Sequence, residues 1–328
     1  MPLLEIDSLR MYYEIEDRGW VKAVDDVDLK LESGQSLAIA GESGCGKTSL
    51  ANSIIRLLPP NGKYFGGKVI LDGENILDIP DDTFRKKVRW KKISLVPQGA
   101  MNALNPVIKV GDQISEAIML HEDLDENEAK KKVEEVFSVV GIDPSRAKHY
   151  THEFSGGMKQ RAMIAMALVC EPEIVIADEP TTALDVIVQA QVFKLLENLR
   201  KKFDLSLILI SHDVSIIAEL CDSVAIMYAG RIAEYGYAAD IYSDPQHPYT
   251  RGLLAAVPRI GASKKRLESI GGVPPDLLEP PSGCRFHPRC PYAFAPCKKE
   301  QLFRSSKVEL ENNRVVFCHW VKKQWESS

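Results

Sequence analysis

The chain has 328 residues, 45% of them apolar and 27% charged, with a formal net charge of −5 at pH 7. This composition excludes intrinsic disorder and collagen-like architecture, and the acidic balance argues against broad electrostatic binding to nucleic acid. The length suits two domains and a core that needs no covalent staples.

The first ten residues, MPLLEIDSLR, carry acids and no apolar stretch, so no secretory signal is expected there. The longest apolar runs, such as Leu205 to Ile210, fall far short of the roughly 20 residues of a bilayer helix. A reducing cytoplasm is therefore expected, and the seven cysteines read as thiols or metal ligands rather than as disulfides. Residues 1 to about 55 read as strands leading into a buried strand at Leu37–Ala40 and then a helix. Ala51 to Leu58 predicts that helix, stopped by Pro59-Pro60-Asn61-Gly62. Lys68 to Leu71, then Asp72-Gly73, predict a strand and a turn.

From about 100 to 170 the pattern is helical, and Glu126 to Val140 has the apolar stripe of a surface amphipathic helix. Buried strands are predicted at Glu173–Ala177 and Leu205–Ile210, with a helix over Val186–Lys202 between them. Buried strands alternating with helices imply an α/β fold with a parallel sheet covered on both faces. After about 245, prolines break up any long helix. A linker is expected near 259–270, followed by a small cysteine-bearing module.

Gly41-Glu42-Ser43-Gly44-Cys45-Gly46-Lys47-Thr48 matches G-x-x-x-x-G-K-[ST] between a predicted buried strand and a helix. Glycines let backbone N–H groups curl around phosphate oxygens, and the helix N-terminus favours anions. Lys47 would reach the β- and γ-phosphates and Thr48 would ligate Mg²⁺, with Ser49 continuing the nucleotide-binding set. Ile174 to Ala177 runs into Asp178 and Glu179. Asp178 can hold Mg²⁺ through its water shell, and Glu179 is placed to polarise the attacking water, because phosphoryl transfer needs both metal and water positioned.

Phe154-Ser155-Gly156-Gly157-Met158 resembles the signature loop of ATP-binding cassette (ABC) ATPases, with Phe154 and Met158 as departures from the usual Leu and Gln. In that family, Ser155, Gly156 and Gly157 would contact the γ-phosphate bound to a partner subunit. Further landmarks are similar and in order. Gln98 resembles the Q-loop glutamine that senses Mg²⁺ and the membrane partner, Asp185 the D-loop aspartate, and His212 the switch histidine. Tyr13 aligns with the aromatic that stacks on adenine, with Tyr12 as its neighbouring alternative. The resemblance implies a P-loop NTPase ABC cassette over 1–262, with a RecA-like parallel sheet core, an antiparallel β subdomain and a helical subdomain at about 99–170. A small irregular metal-binding module would follow at 263–328.

Pro97 to Pro106, Glu153 to Arg161 and His247 to Pro258 resemble the dipeptide/oligopeptide and nickel importer branch. This implies an ATPase at the cytoplasmic face of the membrane, closing as a dimer on ATP and Mg²⁺. Its implied partners are two transmembrane permease subunits, a related second ATPase subunit and, indirectly, an extracytoplasmic peptide-binding protein. Docking to the permeases would fall on Gly99–Asn105 and the helical region to His152. Peptide is the expected cargo and nickel the alternative. A soluble ABC-type ATPase acting on nucleic acid or ribosomes, or a metal-sensing module, are competing readings. The soluble proteins usually carry a long insertion or two cassettes, whereas Gln98 and Ser155 are only 57 positions apart.

Cys284, Cys290, Cys297 and Cys318 crowd a proline-rich tail with little apolar material for its own core. A bound metal centre could supply the missing folding energy. Four thiolates suit a [4Fe–4S] cluster or tetrahedral Zn²⁺, and unliganded thiols are a third reading. The spacing lacks the paired C-x₂-C knuckles of structural zinc, and the importer resemblance implies the cluster. Arg285 and Arg289 either offset the charge of such a site or stand in solvent. Cys45 sits at a variable position of the glycine-rich loop, and Cys170 and Cys221 follow apolar segments and read as small buried residues.

Overall fold

The computed structural model describes residues 2–256 and 270–327. The expected linker lies almost wholly outside them, as does the 262/263 boundary. Two compact units are formed, one from Met1–Leu77 with Ser211–Ser328, the other from Asp78–Ile210.

The first unit opens with β1 (Leu4–Ile15), β2 (Gly19–Leu31), β3 (Ser36–Ala40), α1 (Lys47–Ile54), β4 (Gly62–Leu71) and the short β5 (Glu74–Asn75). β1 lies between β2 and β4 in an antiparallel sheet, with β5 beyond β4. Leu4, Ile6, Leu9 and Met11 turn inward, and register slips near Ser8 and Tyr12 interrupt their alternation. Helix α1 begins four residues before the expected Ala51 and ends at Ile54, because the glycine-rich loop feeds straight into it and Arg56 takes a left-handed conformation (φ 54°). β4 begins at Gly62 rather than Lys68. Its extra residues include Gly67, where a Cβ would sit 2.4 Å from the Ser8 carbonyl oxygen of β1. Such a close backbone approach requires glycine, and glycine hides the strand from a propensity reading.

The second unit contains α2 (Asp81–Lys87), β6 (Ile93–Val96), α3 (Val110–His121), α4 (Glu126–Val139), α5 (Gly156–Leu168), β7 (Ile174–Asp178), α6 (Val186–Phe203) and β8 (Ser206–Ile210). β6, β7 and β8 pair in parallel, and every residue of β7 and β8 is buried. That is why their sequences are continuously apolar rather than alternating. A capping box between Asp125 and Glu128 starts α4, which buries Ala129, Val133, Val136 and Phe137.

The first unit resumes with α7 (Val214–Leu220), β9 (Ser223–Tyr228), β10 (Arg231–Tyr237), α8 (Ala238–Ser243), α9 (Pro248–Ala255), β11 (Lys307–Glu309), β12 (Val315–Phe317) and α10 (His319–Trp325). β9 pairs in parallel with β3 and antiparallel with β10. The tail is more firmly held than its composition suggested. β12 continues the sheet at β10, pairing Val316 with Glu234 and Val315 with Tyr235. Val316, Cys318 and Val321 form a small core with Leu310 and Trp320 packed against it. The borrowed sheet edge and this small core therefore give the tail order of its own.

Candidate functional site

In the first unit, β3 delivers the chain into the loop 41–48, and α1 carries it away. Gly41 (φ 153°) and Gly46 (φ 107°) both have positive φ, and a Cβ on either would lie 2.1 Å from a backbone oxygen, of Met227 and Ala23 respectively. Gly44 (φ 77°) faces open space. Ser43, Gly44 and Thr48 are exposed, while Cys45, Gly46 and Lys47 are buried. The Lys47 ammonium donates to the carbonyls of Gly41 at 2.8 Å and Glu42 at 3.1 Å, so its charge is held against the inside of the loop. Burial pushes the Cys45 thiol up against the opposing pull of Lys47, leaving a neutral side chain in the loop floor.

Tyr13 is half-buried on β1, and its hydroxyl donates to Ser49 Oγ at 3.1 Å, beside the start of α1. The Tyr12 alternative is otherwise engaged: its ring stacks on Phe65 at 4.6 Å and its hydroxyl donates to Asp25 at 2.5 Å. His212 is exposed in the turn before α7, next to buried Ser211, whose Oγ accepts from the Asp213 N–H at 3.0 Å.

The second unit gathers its own set. Asp178 is buried at the end of β7, and Glu179 follows in a left-handed conformation (φ 45°). Glu179 Oε2 accepts from Gln98 Nε2 at 3.1 Å and from Thr182 Oγ1 at 3.0 Å. Thr182 was missed by the sequence reading, since nothing marks a hydroxyl three residues past the acid. Ser155 caps α5, its Oγ accepting from the Met158 N–H at 3.3 Å. Gly156 is exposed beside it, and a Cβ on Gly157 would meet Val188 Cγ1 at 2.8 Å. Phe154, one of the two departures, is buried. Asp185 caps α6, accepting from the N–H groups of Ile187 and Val188 at 3.1 and 3.0 Å.

In the tail, Cys284, Cys290, Cys297 and Cys318 line one narrow cavity, with Phe286 and His319 among its other walls. Burial pushes Cys284 up to about 12 and Cys318 to about 11, each also raised by the neighbouring thiols. Among the described residues, no group of three or more His, Cys, Asp or Glu side chains is arranged to hold a metal ion. Arg285 and Arg289 neither neutralise the thiols nor stand in solvent. Arg285 is buried and donates to Asp25 at 2.6 Å, where Arg231 also donates at 2.8 and 3.0 Å. Arg289 makes a two-pronged contact with Glu42, at 2.7 and 3.0 Å. Cys170 and Cys221 are buried, as read from the sequence, and so is Cys45 in the phosphate loop.

A glycine loop between strand and helix, a strand ending in two acids and a capped S-G-G helix start together define a P-loop ATPase cassette. Comparison with known proteins supports this class. The family described as ABC transporter matches residues 24–182, and the oligopeptide/dipeptide transporter C-terminal region matches 233–297. The chain is 48% identical to the dipeptide transport ATP-binding protein DppD of Bacillus subtilis (strain 168), over 93% of this chain and 91% of that protein. It is 46% identical to the oligopeptide transport ATP-binding protein OppD of Escherichia coli (strain K12), over 90% of this chain and 87% of that one. Among solved structures, the dimeric post-hydrolysis state of the cassette MJ0796, bound to ADP and Pi, is similar with a TM-score of 0.63 and 25% identity, covering 72% of this chain and 98% of that chain. The chain belongs to the ATP-binding subunits of the dipeptide and oligopeptide ABC transporters.

Proposed function

We propose that this chain hydrolyses ATP to energise uptake of dipeptides or oligopeptides through two permease subunits, from the cytoplasmic face of the membrane. The observation that carries the reading is the loop 41–48, where two glycines sit against backbone and Lys47 is buried inside the curl. That loop fits a polyphosphate: its open side at Gly44 leaves room, and Lys47 can exchange its two carbonyls for phosphate oxygens. Tyr13 would stack on the base and Ser43, Cys45, Thr48 and Ser49 would line the phosphates. In the first unit Thr48 offers an oxygen donor that suits Mg²⁺, and in the second unit Gln98 and Asp178 offer their own; the ion when bound would neutralise charge developing on the transferred phosphoryl group. Glu179 is the general base for the attacking water. Gln98 and Thr182 hold its carboxylate by one oxygen, so its aim is set before substrate arrives. His212 would sense the γ-phosphate.

Ser155, Gly156, Gly157 and Asp185 are assigned to the face that meets a second cassette, with Val186 and Ile187, 80% and 73% exposed, in support. Exposed Val107, Met119 and Leu120 support permease docking on the segment after Gln98. No helix among the described residues is long and apolar enough to cross a membrane. The related second ATPase and the peptide-binding protein are further proposed partners.

For the tail we propose a [4Fe–4S] cluster on Cys284, Cys290, Cys297 and Cys318. Their convergence on one cavity supports it; Zn²⁺ on the same four thiols is the alternative. Anaerobic reconstitution with iron and sulfide should yield acid-labile sulfide that Cys290→Ser lowers; unchanged sulfide in the variant would remove the assignment. The transport reading is tested by peptide and nickel uptake in cells lacking the subunit. Peptide uptake restored by the wild type and not by Glu179→Gln is expected. Restored nickel uptake alone would overturn the cargo.

A further inference from the structure

The tail reaches the phosphate loop. Glu42 occupies a variable position of the loop motif, and three contacts fix it from within the same unit. Its backbone N–H donates to the Tyr249 hydroxyl at 2.9 Å. Its two carboxylate oxygens receive Arg289 Nη1 and Nη2 at 2.7 and 3.0 Å. Its carbonyl accepts from Lys47 at 3.1 Å. Neither Arg289 nor Tyr249 is adrift. Arg289 Nη1 also donates to the Tyr228 hydroxyl at 3.2 Å and its Nε donates to the Gly271 carbonyl at 2.8 Å, and its side chain is only 5% exposed. Tyr249 is fully buried and packs on Tyr228 and Phe286, with ring centroids 4.6 and 5.4 Å away.

A paired guanidinium and carboxylate form the most directional ion contact available to side chains, and here it spans from residue 289 to residue 42. Because Glu42 also accepts from Lys47 through its carbonyl, any shift of this residue moves the lysine that faces phosphate. We propose that Arg289, assisted by Tyr249, is a positioning residue for the phosphate loop: the cysteine-bearing tail completes the nucleotide site by fixing Glu42. The inference rests on the loop being the nucleotide site. It also explains a spacing: Cys284 and Cys290 flank Phe286 and Arg289, so the segment that walls the cysteine cavity is the one that grips the loop.

The test is equilibrium binding of a fluorescent ATP analogue, with kcat and KM for ATP, on the full chain. Arg289→Ala should weaken nucleotide binding and raise KM on the order of tenfold with a smaller change in kcat, since charge-assisted hydrogen bonds are lost from loop positioning and not from the reacting atoms. Glu42→Gln should give a similar loss, and the double variant should be no worse than the poorer single. Arg289→Lys should recover part of the affinity but not all, because an ammonium cannot span both oxygens. Arg304→Ala is the structural control. It cuts the tail's contacts with Asp26 and Asp28 without touching the loop, so affinity should stay at the wild-type value. Wild-type affinity in both Arg289→Ala and Glu42→Gln, or an equal loss in Arg304→Ala, would overturn the proposal. If Arg289→Ala does not fold, Arg289→Lys and Glu42→Gln carry the same comparison. A wild-type chain that binds no nucleotide would instead remove the reading of the loop itself.

Discussion

Replacing Asp25 should loosen the tail from the sheet. Its carboxylate receives the Tyr12 hydroxyl at 2.5 Å, Arg231 at 2.8 and 3.0 Å and Arg285 at 2.6 Å. The three charged side chains are 7%, 9% and 2% exposed, so solvent cannot take over the role of the anion. Asp25→Asn would leave Arg285, in particular, as a buried cation beside neutral acceptors, the new amide oxygen and the carbonyls of Ala229 and Lys22. Removing one member of a buried ion pair costs about 3–5 kcal/mol. Urea unfolding followed by a fluorophore on the tail should show that loss in the first unit's transition. A loss within the roughly 0–1 kcal/mol range of exposed pairs would refute the reasoning. Acid gives a second reading of the same node. Burial raises the Asp25 carboxyl, but Arg285 and Arg231 outweigh it and hold the group below its ordinary value. Its stabilising contribution is therefore complete above the unfolded-state value of about 3.9. It is lost as pH falls through the lower folded-state value, and Asp25→Asn should abolish that part of the acid slope.

Glu179→Gln should lower turnover on the order of 10²–10⁴-fold while nucleotide binding persists, checked by phosphate release and equilibrium binding side by side. Gly46→Ala should abolish nucleotide binding or folding, since its Cβ would meet the Ala23 carbonyl oxygen at 2.1 Å with φ at 107°; wild-type binding by this variant would show that the loop has room to move. Burial lowers His247 to about 3, with its Nδ1 accepting from the Tyr249 N–H at 3.0 Å. The folded state thus resists a proton that the unfolded chain takes up near pH 6.5, and stability should fall as pH drops from that value. His247→Asn should flatten the slope between pH 6.5 and 4 in urea titrations, and an unchanged slope would assign it elsewhere.

The candidate nucleotide loops were legible as motifs because their residues lie close together in sequence. Gly41, Gly46 and Lys47 are separated by five residues or fewer, and Asp178 and Glu179 end an apolar run that is a weak signal alone and gains meaning beside the glycine-rich loop. The helix α4 was equally plain, its cap at Asp125 and its apolar stripe both being local. What escaped was long-range. Asp25 and Arg285 are 260 positions apart and Glu42 and Arg289 are 247 apart, and neither pair has a local signal. Arginines beside cysteines read naturally as partners of a metal site, whereas geometry turns them toward acids on other elements. The tail's stability was underestimated for a related reason: β12 completes itself on β10, and edge pairing of three-residue strands leaves no pattern to count. Early strand β4 was missed in part because glycine is demanded by the close passage of β1.

The central claim is that this cassette splits ATP and passes the work to membrane subunits. Phosphate release by the purified chain, measured with Mg²⁺ and ATP alone and then with the co-expressed permease pair in vesicles, tests it most directly. The account expects Mg²⁺-dependent release that rises with the permeases and collapses in Glu179→Gln. Release that is absent in both settings, or that survives the glutamate substitution at full rate, would contradict it.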